Sequence, residues 1–436
     1  MEKPKKLFIF SGIVICLITI TLVIINSVNS DKVIYESDNA NVSDNRVISS
    51  NALTMMYETV AGSGEYQISS DTTWPQEGYV FNDRLSKCEN GSELSWDDEN
   101  NRVIMEANTS DKCYVYFDKE PDTLLNYIIG SIFTGTDGDN GLYYHDGAGT
   151  YGAQEAGDNS YRFSGANPNN YVCFGTNEST CPDDNLYRII GAFDDDNDSI
   201  YQLKLIKADY INSDMLGTNG DYNSDIYDNA SSSYYKGSKL TINRYYWNDV
   251  NYDLAYDETG YRNVWSYSEL NKTNLNTNYL NNMGNEWSSK IATVEWNVGG
   301  NTLVNIYDVT VKNTYINEIV NSNNNVEKHY NAKIGLMYVS DYGYAASPEN
   351  WNTTLKDYDN DMNRNNNWMY MGLSEWTISP RTDQTYSVFY VNQSGDVNYG
   401  NGVGSFRYAI RPTFYLNSDV WYLTGDGTKS NPYRIH

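Results

Sequence analysis

The pattern of apolar and polar positions divides the chain into a short apolar beginning and a long polar remainder. Leu7–Ile25 is a strongly apolar run, and it follows the lysines Lys3, Lys5 and Lys6. A helix of this length matches the roughly 30 Å hydrocarbon core of a bilayer, and the lysines would stay on the cytoplasmic side. The run therefore predicts an N-terminal transmembrane helix within residues 1–30. A secretory signal cleaved after Ser30 is the alternative.

Behind the apolar run, the polarity of the chain predicts three further regions. Residues 31–73 are polar and predict a stalk, because their composition could not bury a core alone. Within this stalk a 3,4 spacing of apolar residues predicts a short helix at Leu53, Met56, Tyr57 and Val60. Residues 74–118 predict a small β module. Residues 119–436 predict a larger domain with an insertion at about 208–330.

Short apolar runs between turn residues predict strands in both folded regions. In the β module they are Gly78–Asn82, Glu93–Trp96, Arg102–Met105 and Cys113–Phe117. In the larger domain they are Tyr171–Phe174, Leu186–Phe193, Ile200–Ile206, Lys333–Val339, Glu375–Ser379, Tyr386–Val391 and Tyr408–Leu416. Apolar stripes predict helices at Asp122–Phe133, Trp265–Met283 and Val309–Val320. Helices among short antiparallel strands with long polar loops indicate the α+β class.

The cysteines predict two disulfides. Cys16 lies in the apolar run, which leaves an even number of cysteines in the region expected outside the cell. Of the possible connectivities we expect local pairing, Cys88–Cys113 and Cys173–Cys181. Free thiols in a reducing compartment are the alternative. The sequence has no CxxC pair, so it supports neither a thioredoxin-like site nor a zinc ribbon.

The net charge of −27 argues against two classes of binding partner. A phosphate backbone requires basic residues for neutralisation, so the charge argues against nucleic-acid binding. It argues equally against docking on anionic lipid. Because 41 tyrosines help to raise the aromatic content to 14%, the composition also disfavours a disordered chain.

Two acidic turns are the best candidates for a metal site. Ca²⁺ binds several oxygen ligands, and alternating carboxylates in a turn can converge on one ion. The turns contain Asp194, Asp196 and Asp198, and Asp357, Asp359 and Asp361. Neither is an EF-hand, since Leu205 and Trp368 stand where the final glutamate would be. Calcium at these turns is a hypothesis, and solvated acidic turns are the alternative.

Motifs for catalysis are sparse. The sequence has no HExxH, GxSxG or Walker motif, and we expect His145 and His329 to be ordinary surface loop residues. Gly147–Gly152 matches GxGxxG, but its turn-rich context predicts a loop. An acidic pair for glycoside hydrolysis stays open, because carboxylates are too abundant for one pair to be selected.

Aromatic residues near the C-terminus allow two interpretations. They could form an exposed patch for stacking on sugars or binding a protein, or they could belong to the core. The residues are Trp351, Trp368, Tyr370 and Trp376. Arg411 stands within an apolar strand, so we expect it to be partly buried beside a carboxylate.

The C-terminal strands resemble a known type of domain. The residues concerned are Trp376–Pro380, Val388–Val391, Gly395, Ala409–Pro412 and Tyr415–Leu416, together with Tyr187–Ile190, Gly335–Tyr338, Ser340–Tyr344, Gly425–Thr428 and Asn431–Tyr433. They resemble a domain of unknown function on Firmicutes surface proteins, which is similar to C-type-lectin-like and formylglycine-generating-enzyme-like folds. The resemblance covers about residues 165–436 and implies a C-type-lectin-like body. It implies no single activity, because such scaffolds host binding proteins, enzymes and structural modules.

Two departures limit what the resemblance implies. Formylglycine-generating enzymes use a redox-active cysteine pair, and no cysteine follows Cys181. Calcium-dependent lectins use a Glu-Pro-Asn or Gln-Pro-Asp loop, and neither tripeptide occurs. We therefore expect a single-pass membrane protein, mostly extracellular, that binds a glycan or protein without catalysis. An envelope-glycan hydrolase and a structural envelope or pilus-like component are the alternatives.

Overall fold

The structure divides into two compact units. The computed structural model describes residues 20–27, 30–37, 53–59, 61–69, 78–97, 102–106, 111–194, 200–218, 224–228, 232–248, 260–321, 327–359 and 361–436. Unit 1 is Met1–Asp122 and unit 2 is Thr123–His436. Each unit has its own hydrophobic core and its own disulfide. Short strands and a few helices make the molecule α+β, as the sequence predicts.

Unit 1 is built from two four-stranded sheets. The strands are β1 (Ile20–Ser27), β2 (Ser30–Ser37), β3 (Leu53–Glu58), β4 (Tyr66–Ile68), β5 (Tyr79–Cys88), β6 (Glu93–Asp97), β7 (Arg102–Glu106) and β8 (Cys113–Lys119). One sheet has the order β1-β2-β7-β6 and the other β4-β3-β8-β5. The strands predicted for the β module are all present. The pairing of β3 with β8 is parallel, and the other pairings are antiparallel.

The helix predicted at Leu53–Val60 is wrong, because this segment forms strand β3. Its buried residues Met55 and Tyr57 alternate with more exposed ones, and they pack on Val115 and Phe117 in the core of unit 1. An alternating pattern with a partner strand beside it outweighs a weak 3,4 spacing. The described part of the predicted stalk thus contributes most of β2 to one sheet and β3 and β4 to the other.

The predicted membrane segment Leu7–Ile25 lies mostly outside the described residues. Its C-terminal part, from Ile20, belongs to strand β1. Among the helices that the structure describes, none combines the length and the apolar character needed to cross a bilayer.

Unit 2 contains a seven-stranded antiparallel sheet that carries the site described below. Its strands are β9 (Leu142–Tyr144), β10 (Tyr161–Phe163), β11 (Tyr171–Cys173), β12 (Leu186–Phe193), β13 (Gln202–Lys207), β18 (Ile334–Gly335) and β22 (Thr413–Tyr415). The order is β18-β22-β13-β12-β10-β9, and β11 also pairs with β12. β12 pairs with β13 in antiparallel orientation, with a register shift between Ile189 and Gly191.

Smaller sheets complete unit 2. Three of them are two-stranded antiparallel sheets, which pair β14 (Ser224–Asp228) with β15 (Thr241–Tyr245), β16 (Val294–Asn297) with β17 (His329–Ala332), and β23 (Tyr422–Thr424) with β24 (Arg434–Ile435). A three-stranded sheet contains β19 (Glu375–Pro380), β20 (Ser387–Val391) and β21 (Val397–Asn401). Strands are therefore present in every run predicted for the larger domain.

The predicted helices of unit 2 are also present, although π-helical turns interrupt them. The α-helix Leu124–Tyr127 continues as the π-helix Ile128–Ile132, and the α-helix Val311–Tyr315 continues as the π-helix Ile316–Val320. In the remaining helix the order is reversed, because the π-helix Leu270–Tyr279 continues as the α-helix Leu280–Met283. Shorter α-helices are Ser213–Leu216, Asn285–Ser288, Leu303–Ile306, Val339–Tyr344 and Asp361–Asn365. Single 3-10 turns are Asp139–Gly141, Asp183–Asn185, Trp265–Tyr267, Pro348–Asn350 and Leu355–Asp357.

Aromatic side chains fill the core of unit 2. Trp351 and Trp376 are fully buried, and Trp368 and Tyr370 are buried as well. The core interpretation of these residues is therefore confirmed, and the exposed patch is wrong. Their polar atoms are satisfied within the core. For example, the indole N–H of Trp376 donates to the carbonyl of Tyr245 at 2.8 Å.

Both predicted disulfides are present. Cys88–Cys113 joins directly paired residues of β5 and β8, and Cys173–Cys181 closes a short loop after β11. Local pairing is thus confirmed. The first bridge joins the last residue of β5 to the first residue of β8, and Cys113 belongs to the same core as Val115 and Phe117.

Candidate functional site

A pocket of about 180 Å³ in unit 2 is the best candidate for a functional site. It lies where β11, β12, the segment 232–238 and the segment before β19 meet. We call it the Arg188 pocket, and its lining residues are Ala166, Asn167, Tyr171, Asp183, Leu186, Arg188, Ala208, Asp209, Lys236, Gly237, Ser238, Trp368, Met371 and Lys429. Its volume is below the roughly 300–1,000 Å³ typical of drug-sized ligands. It therefore suits one sugar residue or one amino acid.

Arg188 is held rigidly at the base of this pocket. It belongs to β12, which is buried along its whole length. Its Nε donates to Asn170 at 2.7 Å, and its Nη2 donates to the carbonyl of Pro168 at 3.0 Å. Its Nη1 reaches the carbonyl of Trp368 at 3.3 Å. The guanidinium lies between the rings of Tyr171 and Trp368, 4.4 Å from each ring centre.

The charge of Arg188 has no carboxylate partner. Among the described residues, no acidic group lies within the 4.0 Å that defines an ion pair with it. Burial lowers the pKa of Arg188 to about 10; Tyr171 opposes this lowering, and the nearby Arg411 contributes to it. A buried charge without a counter-ion is costly. The protein has thus retained an unneutralised cation beside an open space.

Lys236 adds a second cation to the lining of the pocket, and this residue is exposed to solvent. Its backbone N–H donates to the carbonyl of Met371 at 3.0 Å, which anchors the segment 232–238. Its Nζ lies 4.9 Å from the ring centre of Tyr370 and 3.3 Å from the carbonyl of Arg364. Burial lowers the pKa of Lys236, and repulsion by Arg188 and then Arg411 adds to the effect. Lys236, too, makes no ion pair with any described carboxylate.

The acidic residues of the lining have other partners. Asp209 accepts from the Tyr235 hydroxyl at 2.8 Å and from the Ser238 N–H at 3.3 Å. Asp183 lies 3.8 Å from Lys429 in an exposed pair. These carboxylates leave the buried charge of Arg188 and the exposed charge of Lys236 without acidic partners, and they offer hydrogen-bond acceptors elsewhere in the lining.

Two glycines allow the backbone to form this wall. A Cβ at Gly237 would lie 2.4 Å from Asp209 Oδ2 and 2.2 Å from the Tyr235 hydroxyl. Gly372 has φ +87°, and its Cβ would lie 2.1 Å from the carbonyl oxygen of Tyr234. The segment that carries Lys236 can therefore approach the rest of the pocket only because both positions lack a side chain.

Arg411 lies near the pocket and confirms its prediction. Its Nε and Nη2 donate to the two carboxylate oxygens of Glu375 at 2.8 and 2.9 Å, and both residues are buried. Nη2 also donates to the carbonyl of Met369 at 2.7 Å. This fork-to-fork geometry neutralises Arg411, in contrast to Arg188.

The structure does not bring the carboxylates of the 357–361 turn together. Asp357 accepts from the Thr354 hydroxyl, Asp361 pairs with Arg364, and Asp359 is exposed. Among the described residues they form no group of three possible ligand atoms within 4.8 Å. The geometry therefore lends the calcium hypothesis no support at this turn.

The second acidic turn lies partly outside the described residues. Asp196 and Asp198 are not described, and Asp194 follows β12. One other trio has ligand atoms close enough for a metal, namely Cys88, Asp111 and Cys113. Because the two sulfurs are bonded to each other, this trio is not a metal site.

The prediction for His145 is wrong, because the residue is fully buried. Its ring packs against Tyr344 and Trp351, and its Nδ1 accepts the N–H of Ala156 at 3.1 Å. Burial lowers the pKa of His145 well below 6.5, so the ring is neutral. His329 is half-exposed on β17 and lies 3.3 Å from Glu295. The GxGxxG match at Gly147–Gly152 forms a loop, as predicted.

The sequence contains a signal for Arg188. Arg188 interrupts the apolar strand Leu186–Phe193, and arginine is rarely buried without a partner. A cation in a buried strand therefore indicates either an ion pair or a site. Lys236 gave no such signal, because it lies in a polar loop region.

No protein-family model matches the chain, and comparisons with curated proteins and with solved structures found no match either. The resemblance of residues 165–436 to a lectin-like surface domain therefore stays a prediction. The geometry of the Arg188 pocket is therefore the feature from which a function is inferred.

Proposed function

We propose that this chain is a non-catalytic binding protein of the cell surface, which holds an extracellular glycan or protein through the Arg188 pocket. In this proposal an apolar N-terminal segment anchors it in the membrane and a C-type-lectin-like body presents the pocket. The observation that carries the proposal is a pocket whose buried cation, Arg188, has no carboxylate partner among the described residues, with the exposed cation Lys236 in the same lining. Ligand contact would supply the missing interactions.

The composition of the lining also supports binding over turnover. The described residues that line the pocket include neither histidine nor cysteine, the commonest members of nucleophile–base pairs. The side chain of Asp209 is engaged by Tyr235 and Ser238. The lining therefore offers charge and hydrogen bonds, which are the means of recognition.

The test is an array of glycans and extracellular proteins probed with the chain purified in detergent. Lys236→Gln removes one cation of the lining, and Lys272→Gln is the matched control, because Lys272 also lies over a tyrosine ring but does not line the pocket. We expect saturable binding to one ligand class, lost in the first variant and kept in the second. Parallel arms with calcium and with EDTA test the calcium hypothesis.

Other results would point to the alternatives. Release of product from an envelope glycan, abolished by one Asp or Glu substitution, would replace the proposal with a hydrolase. Ordered self-assembly without ligand would favour a structural component. Binding that Lys236→Gln leaves unchanged would place the ligand site elsewhere.

A further inference from the structure

We infer that the Arg188 pocket recognises a carboxylate group on a small monoanionic ligand, held by Arg188 and Lys236. This inference rests on the proposed function, because it names the chemistry of the ligand that the same pocket binds. Four observations support it, and they concern donors, charge, size and the lining acids.

The donors of Arg188 are arranged for a planar anion. A guanidinium has five N–H groups in one plane. The Nε–H donates to Asn170, one N–H of Nη1 donates to Trp368, and one N–H of Nη2 donates to Pro168. One further N–H therefore remains on each of Nη1 and Nη2. The flanking rings prevent rotation of the plane. A fixed guanidinium matches the planar fork of a carboxylate, and it matches a phosphate as well, so charge and the lining acids must distinguish the two.

The charge of the pocket base favours an anion even though the whole chain repels one. Arg188 and Lys236 both line the pocket, and the charge of Arg188 disfavours that of Lys236, whereas Arg411 is already neutralised by Glu375. An anion bound beside both cations would offset this repulsion. The net charge of −27 repels polyanions at long range, so a single negative charge is favoured.

The lining acids restrict the rest of the ligand. Asp183 and Asp209 would repel the second charge of a phosphate dianion, but they can accept hydrogen bonds from hydroxyl or ammonium groups. A volume of about 180 Å³ admits one residue of such a ligand. An acidic sugar and an amino acid with a free carboxylate both meet these conditions, and they are two sources of the same group.

Calorimetric titration of the chain in detergent separates the possibilities. The probes are glucuronate and N-acetylalanine, their neutral counterparts glucose and N-acetylalaninamide, and inorganic phosphate. We expect at least one carboxylate to bind, its neutral counterpart to bind at least about tenfold more weakly, and the affinity to fall with added salt. The stronger carboxylate identifies the source as sugar or amino acid.

Variants link this binding to the pocket. Lys236→Gln should weaken carboxylate binding at least about tenfold, whereas Lys272→Gln should leave it unchanged. Arg188→Lys keeps the charge but removes the fork, so it should weaken binding as well. Because Arg188 is buried, its variant is interpreted only if its thermal unfolding resembles that of the wild type. The effect of Lys236→Gln on carboxylate binding tests the inference whether or not the Arg188 variant can be interpreted.

Several outcomes would overturn the inference. They are the absence of carboxylate binding at about 10 mM, equal binding of the neutral counterparts, tighter binding of phosphate, and insensitivity to Lys236→Gln. If the array shows binding while the carboxylates fail, the proposed function stands and the carboxylate inference falls. If the carboxylates bind while the array is silent, the pocket serves a small molecule and the adhesive function falls.

Discussion

Buried cations in unit 2 differ in what neutralises them. Arg411 faces Glu375 at 2.8 Å, and Lys204 faces Asp341 at 2.7 Å, with all four side chains buried. Arg188 is almost equally buried but has neutral oxygens and aromatic rings as partners. Low-dielectric surroundings strengthen each pair and penalise each unpaired charge. At the scale of single residues, the paired cations therefore stabilise the fold, whereas Arg188 supplies the positive charge of the pocket.

Glu375→Gln should strongly destabilise unit 2. The substitution leaves the guanidinium of Arg411 buried without its anion, and breaking such a pair costs about 3–5 kcal/mol. The free energy of unfolding, measured by urea titration, is the readout. Asp308→Asn is the control, since it breaks the exposed pair with Lys356 and should produce no measurable change. A Glu375→Gln protein as stable as the wild type would show that the pair is dispensable.

Glu155 should make stability fall as the pH rises. Burial raises the pKa of Glu155 from 4.5 to about 7, with help from Asp137 and Asp146 and against a hydrogen bond from Gly147. Between about pH 4.5 and 7 the folded protein therefore holds a proton that the unfolded chain has lost. The free energy of unfolding must decrease through this window and level off above it.

The substitution Glu155→Gln isolates this contribution. The variant cannot ionise, so its stability relative to the wild type should increase from about pH 4.5 to about pH 7. Urea unfolding of both proteins across this range gives the difference directly. Other groups, such as the buried His145, affect both proteins alike and cancel. A difference that does not change with pH would contradict the raised pKa.

At the scale of elements, the sequence predicts the apolar strands correctly, but it predicts the wrong element for the segment that forms β3. Runs such as Leu186–Phe193 are apolar throughout and form strands. Leu53–Glu58 was predicted as a helix because its 3,4 spacing competes with the alternation of Met55 and Tyr57. The parallel partner β8 decides between them, and it lies far along the chain. A local pattern cannot contain that information.

Gly372→Ala tests how the segment 232–238 is positioned. A Cβ there would meet the Tyr234 carbonyl oxygen at 2.1 Å, and φ is +87°. We expect a loss of about 1–3 kcal/mol from backbone strain, with displacement of the segment that carries Lys236. Gly284→Ala is the matched control, because Gly284 has φ +81° and nothing within 4 Å.

The comparison separates strain from displacement. Both variants should lose stability in urea unfolding, but only Gly372→Ala should also weaken carboxylate binding. Equal effects of the two substitutions on binding would mean that the approach of Gly372 to Tyr234 does not shape the pocket.

At the scale of the whole molecule, the chain combines two independently crosslinked units. The Arg188 pocket lies within unit 2, yet its lining comes from positions between Ala166 and Lys429. The sequence predicted the strands that carry Tyr171 and Arg188. It could not predict that Lys236 lies beside them, because that placement depends on contacts between loops such as Lys236 to Met371. The disulfides were predictable because each bridge is local in sequence.

Removal of one disulfide should therefore affect one unit. Replacing Cys88 and Cys113 by serine opens a crosslink between residues separated by 25 positions, which stabilises by about 3 kcal/mol in the chain-entropy model. Hydrogen exchange followed by mass spectrometry should show faster exchange in peptides from β5 and β8. Peptides from β12 and β13, in the core of unit 2, should exchange as in the wild type.

The variant without the second disulfide gives the reciprocal prediction. Replacing Cys173 and Cys181 by serine should accelerate exchange around β11 and leave β5 and β8 unchanged, because that bridge belongs to unit 2. The loop it closes begins just after Tyr171, one of the rings that hold Arg188. Carboxylate binding should consequently weaken in this variant and not in the first. Acceleration that spreads to both units in either variant would show that they unfold as one cooperative body.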